Sequence, residues 1–211
     1  MKHRVGSCEG FTLIELMVAM VVASILLVGI YAAYVTQLRS HLTQQMTIEM
    51  QQNLRVAMQI MASDIRMAGY DPTRDADAGV VIMLANNFRF TADLDEDSAI
   101  VGAEDVRYAI NSNGSLGRDI GGGLQPVAEN IDALNFVFLD EDRNVTGDPD
   151  AVRSVQVTIV GRSSKTMPAM FNRQTDNQVY RNQQGQVILP SPNDTFRRMI
   201  LTSEIKCRNL G

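Results

Sequence analysis

From Leu16 to Tyr34 the chain reads LMVAMVVASILLVGIYAAY, nineteen residues without a charge. A helix of that length reaches about 28 Å, close to the hydrocarbon thickness of a bilayer, so the pattern predicts a membrane span. A buried core helix is the alternative, but a run this long and apolar on all sides favours the span. Beyond the span the pattern changes period. Leu38, Leu42, Met46, Met50, Leu54, Ala57, Met61, Ile65 and Ala68 recur every three or four positions, with Arg39, Gln45, Gln52, Arg55, Gln59 and Arg66 mostly elsewhere on the wheel. This is the signature of an amphipathic helix. Gly69 suits the cap beyond its end and Pro72 prevents continuation, which predicts one helix from about Phe11 to Met67, roughly 85 Å long.

The remainder alternates with a period of two. Phe88 and Phe90 flank Arg89, and Val106, Tyr108 and Ile110 precede an Asn113-Gly114 turn and Leu116. Leu134, Phe136 and Phe138 alternate, as do Val155, Val157 and Ile159, and Met199, Leu201, Ile205 and Cys207 fall on one face of a final strand. These are strands and hairpins. Ser163 to Asp194, rich in Ser, Asn, Gln and Pro, reads as a long loop with a small hairpin around Gly185. The fold expected is α+β: a long N-terminal helix, half transmembrane and half amphipathic, packed on an antiparallel β-sheet head of about 140 residues.

The start of the span adds chemistry. The stretch MKHRVGSCEG carries Lys2 and Arg4 against Glu9, which keeps the amino terminus in the cytoplasm by the positive-inside tendency and sends the rest of the chain outward. No small-residue cleavage site of the secretory kind follows Tyr34. Glu15 is a lone carboxylate inside the apolar run, at a cost of about 2.5 to 3.5 kcal/mol near a helix centre and less near the interface. It therefore calls for a partner, or for snorkelling to the headgroups.

Gly10-Phe11-Thr12-Leu13-Ile14-Glu15 resembles the class III leader of the type IV pilin superfamily, G-F-[ST]-L-[ILV]-E. The resemblance implies cleavage by a prepilin peptidase between Gly10 and Phe11, N-methylation of Phe11, and retention of the apolar segment as an anchor. It also implies that Glu15 neutralises the new terminal amine of a neighbouring subunit. Residues 1–10 would then be a cleaved leader, 11–35 a transmembrane helix, 36–69 the helical arm and 70–211 a periplasmic head. The protein would be a single-pass protein of the bacterial inner membrane, incorporated into a pilus or its tip. Major subunits of the family usually carry a proline where this chain has Ala32. Through the head, SDIRMAGYDP, QPVAENIDALNFVF and the terminal Arg-Asn look like minor pilins of the PilW type and, more distantly, like the minor pseudopilin J of type II secretion.

Composition narrows the chemistry. Nineteen basic against twenty-four acidic residues give a net charge of −5, or −6 once the leader is removed, so nucleic acid is not an expected partner. The two histidines are His3 and His41, too few and too isolated for a zinc site or a Ser-His-Asp triad. Cys8 would leave with the leader while Cys207 faces an oxidising compartment, so Cys207 is expected as a lone, half-buried thiol. Gly121-Gly122-Gly123 lacks a following GK[ST] and reads as a flexible connection before Pro126, and Asp140-Glu141-Asp142 reads as a solvated hairpin.

Asp93 to Glu104 is more specific. Asp93, Asp95, Asp97 and Glu104 stand at positions 1, 3, 5 and 12 of an EF-hand-like loop, with Ile100 at position 8 and Ser98 in place of the usual glycine. Two readings stay open. One is a calcium site of Asp93, Asp95, Asp97, the Ala99 carbonyl and Glu104, braced by Ile100 in the core; the other is an acidic surface turn. No cofactor is otherwise required.

Three functions are compatible with these patterns. The first is a minor pilin that helps initiate a fibre, acting with prepilin peptidase, the inner membrane and other minor and major pilins. The second is a minor pseudopilin of type II secretion, and the third a membrane-anchored periplasmic enzyme or ligand-binding module. The missing histidine and phosphate-binding constellations weigh against the last, and a structural subunit rather than an enzyme is expected.

Overall fold

The computed structural model describes residues 10–168, 171 and 174–210. The chain divides into two compact units, Met1–Gln44 and Gln45–Gly211. Helix α1 (Leu13–Met67) belongs in part to each. It starts two residues later than the periodicity suggested and ends at the expected residue.

In the first unit, the side chains of α1 from Leu13 to Tyr34 are exposed, and the helix is long and apolar enough to cross a membrane. The hydroxyls in and just after this run turn inward on the helix itself. Ser24 donates to the Val21 carbonyl at 2.7 Å and Thr36 to the Ala32 carbonyl at 2.9 Å. Neither leaves a free donor, as a lipid environment requires.

In the second unit, Met46, Met50, Leu54, Ala57, Met58, Met61 and Ile65 are buried along one stripe of α1. The stripe meets two antiparallel sheets. The larger is a meander of β1 (Val80–Leu84), β2 (Asn87–Thr91), β3 (Asp105–Ile110), β4 (Leu116–Asp119) and β5 (Gln125–Ala128), adjacent in that order. The smaller places β7 (Ser154–Arg162) between β6 (Ile131–Leu139) and β10 (Arg198–Lys206). Phe88, Phe90, Tyr108, Phe136, Phe138, Val155, Val157, Ile159 and Ile205 join the helix stripe in one core. Phe88 stands at its centre, with ring centroids 5.0 Å from Phe90, 5.5 Å from Phe136 and 5.0 Å from Phe138.

The two strands absent from the sequence reading have physical reasons. β1 is VVIML, an unbroken apolar run whose period cannot be read. β5 contains Pro126, which a sheet tolerates because β5 lies at its edge. The expected loop from Ser163 to Asp194 does hold a hairpin, β8 (Tyr180–Arg181) and β9 (Val187–Leu189), and it covers the second face of the smaller sheet. Tyr180 packs with Ala133 and Val160, Asn182 donates to Asn135 at 3.0 Å, and Gln184 donates to Gln156 at 2.7 Å. β7 is consequently buried from Ser154 to Gly161.

Three polar clasps hold these layers. Asp64 on α1 accepts Arg118 Nε at 2.6 Å and the Tyr108 hydroxyl at 2.5 Å. Arg198, only 3% exposed at its side chain, is held by Asp132 at 2.6 Å, Asp176 at 3.2 Å and Asp194 at 2.7 Å. At the end of α1, Gly69 takes φ +75°, and an added Cβ there would run into Leu210 and the Asn209 carbonyl. Asn209 in turn donates to the Arg66 carbonyl at 3.3 Å, so the terminal residues close the helix end.

Candidate functional site

Gly10 and Phe11 precede α1 in non-helical backbone, and Phe11 is 91% exposed. The peptide bond between them is thus accessible and outside the helix, the form a peptidase needs. Residues 1–9, including Lys2, Arg4 and Cys8, lie outside the described residues.

Thr12 and Glu15 form a reciprocal cap. The Thr12 backbone N–H donates to Glu15 Oε2 at 2.9 Å, its hydroxyl donates to the same oxygen at 2.8 Å, and the Glu15 N–H donates to Thr12 Oγ1 at 3.3 Å. This is a capping box, in which a Thr and a Glu three residues apart satisfy the free amides of a helix start. The Thr-x-x-Glu spacing is legible in the sequence, and the cap gives Glu15 a partner within its own chain in addition to the neighbouring amine that the resemblance implies. The cap lies entirely on the Phe11 side of the Gly10–Phe11 bond. Among the described residues, Glu15 Oε1 accepts no hydrogen bond.

The acidic loop has a different geometry from the one expected. Asp93, Asp95 and Asp97 each bring a carboxylate oxygen within 4.8 Å of the others'. Asp93 is completely buried and Asp95 and Asp97 are exposed. Glu104 is not directed at them. Its Oε1 accepts the N–H groups of Leu94 at 2.7 Å and Asp95 at 3.2 Å, and its Oε2 accepts Val101 N–H at 3.0 Å. These amides hold its carboxyl below the ordinary value. Glu104 is a strut that closes the loop, and the spacing that suggested a bidentate ligand selects a backbone brace instead. Ala99 donates its N–H to Asp97 at 2.9 Å. Ile100 is half-buried and, among the described residues, lies outside the main core cluster in which the bracing role expected of it would place it. Ser98 adopts φ +65°, the left-handed backbone usually given to glycine at that position.

Other candidates resolve into structure. The triglycine is tied down, because Gly121 and Gly123 donate their N–H groups to Asp119 Oδ1 at 3.0 and 2.8 Å. The loop's amides hold a carboxylate of their own chain where a phosphate loop would hold its ligand. Cys207 is buried, 3% exposed rather than half-buried, and burial pushes its thiol up to about 12, far from a reactive thiolate. His41 is exposed on α1. The groove lined by Glu49, Asn53, Glu129, Arg162 and Ser164 brings together no His or Cys among the described residues.

Comparison with known proteins places the motif. The model of the prokaryotic N-terminal methylation motif matches residues 6–31. No curated protein matches the chain. Among solved structures, a type IV-like pilin from Thermus thermophilus is similar at 16% identity and a TM-score of 0.49, over 75% of this chain and 96% of that one. The prepilin motif implies processing by prepilin peptidase and assembly with other pilins, and it points to a structural protein. With Gly10, Phe11 and Glu15 all inside the matched segment, this chain carries a prokaryotic N-terminal methylation motif at the start of its long helix.

Proposed function

We propose that the protein is a minor pilin: an inner-membrane subunit, cut between Gly10 and Phe11 and methylated on Phe11, that helps initiate or stabilise a type IV pilus with other minor and major subunits. The observation that carries this reading is the methylation motif at residues 6–31 on a helix whose apolar side chains from Leu13 to Tyr34 are all exposed. Such a surface needs lipid or other subunits to cover it. Residues 11–35 serve as the anchor, 36–69 as the arm and 70–211 as the periplasmic head.

Glu15 supports assembly chemistry on the same grounds. Cleavage places a positive amine at Phe11, beside the positive end of the helix macrodipole, where an ammonium is disfavoured and a carboxylate favoured. Glu15 spends one oxygen on Thr12 and keeps the other for such an amine on a neighbouring subunit.

Intact-mass measurement on protein extracted from membranes of a cell that makes the pilus tests the reading. The expected product lacks residues 1–10 and carries one methyl group, and it co-purifies with sister pilins. A mature chain beginning at Met1 or beyond Tyr34 overturns the assignment. Co-purification with secretion-system pseudopilins alone selects the type II alternative, and release as an unassociated hydrolase the enzymatic one.

A further inference from the structure

The loop Asp93–Glu104 holds a buried carboxyl group with one oxygen left unpaired among the described residues. Asp93 is 0% exposed, and although its Oδ2 accepts from Ser98 N–H at 3.3 Å and Thr73 Oγ1 at 3.4 Å, its Oδ1 has no hydrogen-bond partner among the described residues. A buried carboxylate oxygen without a partner carries a desolvation cost that water or a cation would remove. Among the described residues no Lys or Arg forms an ion pair with Asp93, Asp95 or Asp97. Two more carboxylates converge on it instead.

We propose that Asp93, Asp95 and Asp97 bind one calcium ion, with Asp93 as the buried anchor, the exposed Asp95 and Asp97 closing over it, and Glu104 as the strut that shapes the loop. Three carboxylate oxygens within 4.8 Å of one another lie close enough to share one cation. A set of three carboxylates suits calcium, whereas magnesium keeps several waters and takes one or two carboxylates. Calcium takes six to eight oxygens in irregular geometry, and water reaches the exposed side through Asp95 and Asp97 to complete the set. The backbone is already arranged for convergence. Asp97 N–H donates to Asp95 at 3.3 Å and Ala99 N–H to Asp97 at 2.9 Å, which turns successive carboxylates to one side. The site does not depend on the pilin reading.

The test uses the full chain in detergent micelles, stripped with EGTA and titrated calorimetrically with calcium chloride and, separately, magnesium chloride. The expected result is one calcium per chain with a dissociation constant of about 10⁻⁴ to 10⁻³ M. At the tight end of that range, 1 mM calcium raises the thermal midpoint by about 3 to 6 °C over EGTA. Asp95→Asn with Asp97→Asn, both at exposed positions, weakens binding at least tenfold and abolishes the shift. The chain has no tryptophan, and Tyr70 lies beside the loop, its hydroxyl donating to Glu96 at 3.3 Å. Terbium bound at the site therefore emits under tyrosine excitation, and Tyr70→Phe reduces that emission while calcium binding is retained. Absence of calcium binding by the wild type overturns the proposal. So does a calcium shift that survives the double variant, or an equal shift from magnesium.

Discussion

Thr12 and Glu15 give one pair of side chains two separable duties, a helix cap and a charge. A glutamine at position 15 can still accept the Thr12 N–H and preserve the capping box, because Gln replaces Glu in that motif, but it carries no charge. Glu15→Gln is therefore expected to insert in the membrane and lose residues 1–10 normally, while its recovery in sheared fibres falls at least tenfold. Quantitative immunoblotting of sheared and membrane fractions measures both quantities. Normal recovery would reduce Glu15 to a cap and remove the amine partnership. Gly69 illustrates the opposite kind of residue. Both its φ of +75° and the approach of Leu210 and Asn209 exclude a side chain, so one residue links the helix end to the terminal tail.

At the scale of elements, the helix and the larger sheet are joined by an apolar stripe and by a single carboxylate. Asp64 is half-buried on α1 and accepts from both Arg118 and Tyr108, whose ring is fully buried. Asp64→Ala leaves a guanidinium and a phenol without their partner and is expected to cost about 2 to 4 kcal/mol. Tyr108→Phe removes one hydrogen bond and leaves the ion pair, at about 1 kcal/mol. Denaturant midpoints of the full chain in micelles give the two values, and equal costs would mean that the ion pair contributes nothing beyond the phenol. The smaller sheet meets the helix at a glycine. A Cβ on Gly161 would stand 2.9 Å from Leu54, so glycine in β7 sets the separation at which α1 crosses that strand.

Across the whole molecule, titration is expected to bound stability on both sides of neutrality. Arg198 hydrogen bonding holds Asp194 below the ordinary carboxylate range, so that contribution is present above about pH 4 and is lost as pH falls through the depressed value. On the alkaline side, burial raises Cys207 from 9.0 to about 12, and burial with neighbouring carboxylates raises Tyr108 and Tyr180. The fold prefers the neutral thiol, so its contribution is complete below pH 9 and is lost as pH rises towards 12. Cys207→Ala should give a shallower decline of the denaturant midpoint between pH 9 and 12, with the two tyrosines supplying what slope remains. The native thiol should also resist an aromatic disulfide reagent until the head unfolds. A slope unchanged by the substitution, or rapid labelling of the folded chain, would contradict the burial assigned to Cys207.

The apolar run from Leu16 to Tyr34, the helix end at Met67, the hairpin at Asn113-Gly114 and the strands through Phe88, Tyr108, Phe136 and Val157 are legible in the sequence alone. Each rests on a local period of 3.6 or 2, or on a turn residue whose backbone preference acts over a few positions. The prepilin motif is equally local, since a peptidase reads a short stretch. What required the tertiary structure is whatever depends on distant residues meeting. β1 has no period of its own and is defined by pairing with β2, and the Ser163–Asp194 segment becomes a cover for β6 and β7 through Arg198 and Tyr180. In the acidic loop, sequence spacing named five candidate ligands, and folding divided them. Asp93, Asp95 and Asp97 converge, whereas Glu104 turns to the amides of Leu94, Asp95 and Val101. Spacing along a chain sets which residues are near neighbours in a loop, but the direction of a carboxylate depends on which donors the folded backbone leaves free.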